Sequence, residues 1–364
     1  MDITGKITGI TYKVHLVEEL PQIEAQDFDI NNVPATCLLK NKSSSFAVSK
    51  WVSPKRTRSY PFERVYNSLA VSKKITIIPI VKDEGAQGDR DFIQWDTVSL
   101  MSLLDVFVIF AYYDKAEINL RNWQKITNQQ FNNKYVIAKI KEIEQYHSSA
   151  LHWNLNELNK NLHHIIDRAK SAYLEIENTT NVPLHNISGI DNFKEKIGQD
   201  VELFMQFSRE KAAQAQDREF VTQQPKESLS THTKAKITIT NYLGGQYFFT
   251  VDEVAIKGDT VYLIESKHSK NAVLPSIGDI KDGLLKMILY SNLCEVEVDG
   301  KKMKSKAVLR LTSEKLKGKI TSENNTFDKE KFITENKIKM NLIEELFEEA
   351  RENGFEVEIG NNKE

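Results

Sequence analysis

Two carboxylates and an ammonium held close together can bind a divalent cation and steer a water onto a phosphodiester. The sequence offers that set once in a favourable setting. Asp252 stands near the end of the alternating segment Gln246 to Val254, and Glu265-Ser266-Lys267 ends the apolar run Val261-Tyr262-Leu263-Ile264. Period-two alternation along a strand puts Glu265 and Lys267 on one side. Mg2+ takes hard oxygen ligands and keeps several waters, so one or two carboxylates plus a phosphate oxygen satisfy it. Asp252 and Glu265 are the expected ligands, with the Ser266 main-chain carbonyl a third and neighbouring Glu253 the alternative first acid. Lys267 would position the attacking water and offset the developing negative charge. Uncatalysed phosphodiester hydrolysis is so slow that the site must remove ~20 kcal/mol of barrier.

The acid-x-Lys spacing alone decides nothing, because it recurs at Asp279-Ile-Lys281, Asp299-Gly-Lys301 and Glu335-Asn-Lys337. Asp279 opens a helix, where an acid is expected as a cap. Asp299-Gly300 is a turn signal, and Glu335 lies in a polar stretch. Only Glu265 ends an apolar strand with an acid at the end of the strand before it, thirteen residues back.

The elements around the set follow from periodicity. Lys236–Thr240 predicts a strand and Gly244-Gly245 a turn; Gln246–Val254 and Thr260–Lys267 predict two further strands joined at Lys257-Gly258-Asp259. Asp279–Asn292 alternates as an amphipathic helix, and Lys306–Thr312 reads as another strand. With a helix expected over Phe193–Gln216, the order is αβββαβ. Upstream, residues 1–50 read as short strands, including Ile10, Tyr12 and Val14. Lys74–Val81 reads as a strand whose Pro79 predicts an edge or a bulge, Trp95–Leu104 as a helix and Val106–Phe110 as a strand. Residues 133–190 carry apolar positions at helical spacing, and Thr222–Thr233 is a polar connection.

The block DEVAIKGDTVYLIESKHS, inside that element order, resembles the PD-(D/E)XK nucleases, and among them the type II restriction endonucleases. In this family an acid, a hairpin and an acid-x-Lys share one sheet. Carried over by position, Asp252 is the first acid, Glu265 the second and Lys267 the lysine; Val251 stands where Pro is common. The resemblance spans roughly residues 193–312. It implies an α/β (α+β mixed) fold with the αβββαβ core in the C-terminal part, an N-terminal small α/β region and a helical middle. The corresponding divisions are 1–130 for DNA recognition, 131–190 for a dimer contact or DNA clasp, and 191–364 for catalysis. It further implies Mg2+-dependent, sequence-specific double-strand cutting of DNA, a homodimer and a cognate DNA methyltransferase. A repair or recombination nuclease with the same core, or a non-catalytic DNA-binding protein, are the alternative expectations.

Bulk properties are compatible with this. The chain has 364 residues, enough for two domains, and is 40% apolar and 27% charged. The stretch MDITGKITGITYK lacks an apolar signal region, and the longest apolar run, Val98–Tyr113, is interrupted by Asp105. Two cysteines, Cys37 and Cys294, provide neither a disulfide framework nor a thiolate metal site, so a cytoplasmic protein is expected. A net charge of −2 argues against indiscriminate coating of nucleic acid. Basic residues nonetheless gather in two zones, residues 52–74 and 234–320. Arg56, Arg58 and Tyr60 in the first, and Lys281 and Lys286 in the second, are the expected DNA contacts. The acidic loop from Asp83 and Glu84 through Asp89 and Asp91 to Asp96 reads as structural, with a second metal site as the alternative. His147, His152, His163 and His164 are expected on helices without a metal role.

Overall fold

The computed structural model describes residues 1–41, 44–55, 61–198, 201–221 and 233–361, the side chains of 215, 218–221 and 233 excepted. The expected DNA contacts Arg56, Arg58 and Tyr60, and most of the polar connection at 222–233, lie outside the described residues. Contacts divide the chain into two compact units: Met1–Glu18 with Glu210–Glu364, and Glu19–Arg209. Both are mixed α/β.

The chain opens with β1 (Asp2–Ile7) and then enters the Glu19–Arg209 unit. There, β2 (Gln22–Glu24), β3 (Thr36–Asn41) and β4 (Ser44–Lys50) precede α1 (Pro61–Ser68) and β5 (Lys74–Pro79). The short pair β6 (Val81–Asp83) and β7 (Arg90–Phe92) is followed by α2 (Trp95–Leu103) and β8 (Val106–Ala111). The hairpin β9 (Tyr113–Ile118) and β10 (Ile126–Phe131) leads into α3 (Asn133–Glu144), α4 (Ala150–Thr180) and α5 (Ser188–Ile197). The main sheet has the order β2-β3-β4-β5-β8. Strands β5 and β8 are buried at every position, as a parallel pair covered on both faces must be.

Pro79 is therefore not on an edge: β5 is paired on both sides, and the proline is its last residue, opposite Ala111, where a missing N–H breaks little of the ladder. Helix α4 packs on β8 and β9, so the helical stretch shares a core with the strands before it. The expected helix at Phe193–Gln216 is two helices. Helix α5 stops at Gly198, whose φ of 54° leaves the right-handed helical region, and α6 (Val201–Val221) begins beyond it.

In the other unit, β11 (Thr233–Asn241), β12 (Gln246–Lys257) and β13 (Thr260–Ser269) form an antiparallel meander. Next come α7 (Ile277–Ser291), the hairpin β14 (Cys294–Val298) and β15 (Lys301–Lys302), and β16 (Lys304–Ser313). Strand β17 (Lys319–Thr321), α8 (Thr326–Asn336), α9 (Met340–Asn353) and β18 (Glu356–Gly360) complete the chain. The sheet is nine-stranded, β15-β14-β1-β11-β12-β13-β16-β18-β17. Strand β16 lies parallel to β13 and β18, and α7 makes the crossover between β13 and β16. The αβββαβ element order expected from periodicity is present, with the β14–β15 hairpin inserted before its last strand.

Only β1 of the expected early strands in this unit forms. Residues 8–18 instead run as a strap over α9, with the buried Glu349 accepting from the Tyr12 hydroxyl (2.7 Å) and from the His15 and Leu16 N–H groups (2.9 and 3.0 Å). A buried carboxylate needs such donors, and only an irregular backbone can aim two successive N–H groups at one oxygen.

Candidate active site

Strand β13 runs between β12 and β16, so its apolar residues Val261, Leu263 and Ile264 are buried. The burial continues through Glu265, which is 1% exposed. Antiparallel register sets Glu253 opposite Ile264, which brings Asp252 beside Glu265. The register of β11 against β12 shifts between Val251 and Val254, a span that includes Asp252 and Glu253. Bulges re-aim side chains at sheet positions of this kind. The Ser266 N–H donates to Asp252 Oδ2 at 2.9 Å, fixing the carboxylate against the neighbouring strand.

Helix α7 covers this face. Its first turn is closed by Ser276, which accepts from the Asp279 N–H at 3.1 Å while its hydroxyl donates to the Asp279 carboxylate at 2.7 Å. Asp279 is thus a cap, as its place in the sequence implies. Gly283 faces the sheet: a Cβ there would stand 2.7 Å from Leu309 Cδ1 and 3.4 Å from Lys267 Cε. Its missing side chain lets the helix settle directly on β16 and on the lysine.

One turn of α7 carries Asp282 and Lys286, four residues apart and hence on one face. Both reach the strand ends. Lys286 Nζ lies 2.8 Å from Glu265 Oε1 and 2.9 Å from Oε2. Lys267 Nζ lies 3.0 Å from Glu265 Oε1 and 2.7 Å from Asp282 Oδ2. The result is a chain of charges, Asp282–Lys267–Glu265–Lys286, with Asp252 beside it.

The electrostatics follow from that count of three carboxylates against two ammoniums. Burial opposes the charge of Glu265, but Lys286 and Lys267 outweigh it and hold the carboxyl below its ordinary range. Burial likewise works against both ammoniums, and Glu265 overrides it at each, aided at Lys286 by Asp252 and at Lys267 by Asp282, so both pKa values are raised. Asp252 is the group left over. Burial and the adjacent Glu265 charge push its carboxyl up to about 7, which Lys286, the Ser266 N–H and Lys267 only partly counter.

The two neighbouring acids face opposite sides of the sheet. Glu253 is ion-paired with Arg310, which also holds Glu358 at 2.8 Å. Consecutive residues of a strand face opposite ways, so Glu253 is turned from α7 and from Glu265.

Lys281 is misplaced as a DNA contact. It is 0% exposed, and its ammonium makes no hydrogen bond; the nearest acid is Glu18, at 3.3 Å. Position 281 falls on the face of α7 shared with buried Leu284, Leu285 and Ile288, away from Asp282 and Lys286. Asp282 is the participant that spacing arguments missed. Its signal was present: an acid four residues before Lys286, next to a glycine in an otherwise apolar helix.

The acidic loop is tied up internally. Asp83 accepts from the Gly85 N–H at 2.9 Å and meets His185 Nδ1 at 2.8 Å; Asp91 pairs with Lys55 at 2.5 Å and accepts from the Ser53 hydroxyl at 3.1 Å. His152, His163 and His164 do lie on α4, whereas His147 falls in the turn before it. Among the described residues no three His, Cys, Asp or Glu side chains gather to hold a metal by themselves. A magnesium ion needs fewer, since waters and a substrate oxygen fill the rest of its octahedron. The Asp252–Glu265 pair fits that requirement: two hard carboxylates lie on one face, and the excess negative charge that raises Asp252 is what a divalent cation would relieve. Among the described residues, no helix is long and apolar enough to cross a membrane. Comparison with known protein families, curated proteins and solved structures finds no match.

Proposed function

We propose that the chain is a Mg2+-dependent endodeoxyribonuclease of the PD-(D/E)XK type, cutting duplex DNA at specific sequences as type II restriction enzymes do. The single observation that carries the reading is the convergence of Asp252, Glu265 and Lys267 on one face of β12–β13, at the ends of buried strands. The element order αβββαβ and the parallel β13–β16 pair support it further.

Asp252 and Glu265 would hold the ion, with the Ser266 main-chain carbonyl as a third ligand. Bound there, Mg2+ supplies Lewis acidity to the scissile phosphate and lowers the pKa of a coordinated water. Lys267 keeps its proton and directs it at the attacking water or the phosphate oxygens, while Asp282 fixes the direction of that ammonium. Lys286 keeps Glu265 ionised and would stand beside the bound ion, where its ammonium could offset charge on a phosphate. A homodimer would bring two such sites to the two strands of a symmetric sequence, and a cognate methyltransferase would protect host DNA.

Incubating plasmid DNA with the protein and Mg2+ tests this directly. Discrete fragments with uniform ends are expected. Products from branched or nicked DNA alone would favour a repair nuclease, and intact plasmid with a mobility shift would favour a non-catalytic binder.

A further inference from the structure

The exposed large apolar side chains of the Glu19–Arg209 unit include a group at the tip of the β9–β10 hairpin. Leu120 is 99% exposed, Trp123 69% and Ile118 43%. Residues 119–125 read Asn-Leu-Arg-Asn-Trp-Gln-Lys, with two cations and no acid. Exposed aromatic and aliphatic side chains cost solvation, and a loop of seven residues has polar alternatives at each of these places.

The tip is built to hold its shape. The Asn119 N–H donates to the Lys125 carbonyl at 2.9 Å, and the Lys125 N–H to the Asn122 carbonyl at 2.9 Å. Asn119 Oδ1 accepts from the Arg121 N–H at 2.9 Å, and Asn122 Oδ1 from the Gln124 N–H at 3.1 Å. These side-chain turns leave Leu120, Arg121 and Trp123 pointing outward from a preset backbone. The acidic loop braces the base of the hairpin. The Ile126 N–H donates to the Glu84 carbonyl at 3.1 Å, and Gln129 Nε2 to the Asp83 carbonyl at 2.7 Å. Gly85, at φ 103°, lies so near that a Cβ would stand 2.6 Å from the Gln124 carbonyl oxygen. Asp83, whose carboxylate is held by His185 and by its own turn, presents the main-chain carbonyl that anchors the hairpin.

We propose that this tip enters a groove of duplex DNA, with Arg121 on a base edge or phosphate and Leu120 and Trp123 as apolar wedges against the bases. The proposal rests on the reading of the chain as a DNA enzyme and adds the element that grips the duplex. A two-stranded ribbon matches the ~12 Å width of the major groove, where arginine reads guanine edges and apolar side chains meet thymine methyl groups. Charge favours nucleic acid as the occupant, since the tip carries Arg121 and Lys125 without an acid and the Arg121 guanidinium makes no ion pair among the described residues. Rigidity helps, because a preset loop loses little freedom on docking.

The protein carries its own probe. Of its four tryptophans, Trp51, Trp95 and Trp153 are 1%, 2% and 3% exposed, so acrylamide quenching reads Trp123. The full chain is titrated with mixed-sequence linear duplex DNA in Ca2+ at low salt, with a mobility shift recorded in parallel. The account expects DNA to protect Trp123, lowering the quenching constant at least ~threefold. Leu120→Ser with Trp123→Ser should weaken DNA binding ~tenfold or more at unchanged thermal midpoint. Three results would overturn it: a mobility shift with Trp123 as quenchable as in the free protein, protection that grows with protein concentration without DNA, or no DNA binding at all. Cutting in Mg2+ with Trp123 unprotected sinks the hairpin alone. Protection without cutting in Mg2+ leaves the hairpin and sinks the nuclease reading.

Discussion

Two acidic clusters in this chain look alike in the sequence and differ in what surrounds them. In the Asp83–Asp96 loop each carboxylate with a described partner meets a donor of its own: Gly85 N–H and His185 for Asp83, Lys55 and Ser53 for Asp91. At the ends of β12 and β13, three carboxylates share two ammoniums, and Asp252 is pushed up to about 7 by burial and by Glu265. The first cluster fixes the shape of a loop. In the second, Glu265 holds both ammoniums, and Asp252 beside it keeps its proton up to about 7. Such uneven sharing of partners marks the second cluster as the candidate ligand site of the proposed function.

The largest effect that would sharpen the contrast is at Lys267. Lys267→Ala should reduce DNA cutting at least ~1,000-fold, while binding in Ca2+ changes less than ~threefold. Asp83→Asn, made in parallel, should lower the thermal midpoint and leave the cutting rate per folded molecule within ~threefold. If Lys267→Ala cuts at the wild-type rate, or Asp83→Asn is the variant that stops cutting, the roles of the two clusters are reversed.

A smaller effect, opposite in sign, is expected in stability. Folded Asp252 keeps its proton up to about 7, well above the unfolded value, so ionising it opposes folding. The stabilisation due to its neutral form is complete below about pH 4 and is lost as pH rises through about 7. Asp252→Asn fixes a neutral group there. Its advantage over the wild-type protein should therefore grow from pH 4 to 7 and level off at ~2–4 kcal/mol, measured by denaturant unfolding without divalent ions. Glu253→Gln, which takes a partner from Arg310 on the far face, should be destabilising at pH 8 instead. Opposite behaviour of the two neighbours is the sharpest form of the comparison; a destabilised Asp252→Asn at pH 8 would break it.

Much of the second cluster was legible before any coordinates. Apolar runs ending in charge gave the strands, and strand periodicity put Glu265 with Lys267. The choice between Asp252 and Glu253 was not legible, because it depends on the register of β12 against β13 and on Arg310 across the sheet, not on either strand alone. Lys281 and Lys286 look equivalent as letters, five apart on one helix. Only the direction in which α7 faces the sheet buries the first and delivers the second to Glu265. The break at Gly198 and the irregular strap of residues 8–18 were hidden for a similar reason: a regular apolar period continued past the point where a glycine or a buried Glu349 overrode it. Nor was the hairpin tip conspicuous, since exposure of Leu120 and Trp123 is set by what fails to pack on them.

The most direct measurement is anomalous scattering from crystals of the protein grown with Mn2+. A peak is expected within ~2.2 Å of a carboxylate oxygen of both Asp252 and Glu265, with the Lys286 ammonium drawn off Glu265. Diffraction showing no ion there, while Glu265 still holds both ammoniums, would contradict the claim that these strand ends form a metal-dependent phosphodiesterase.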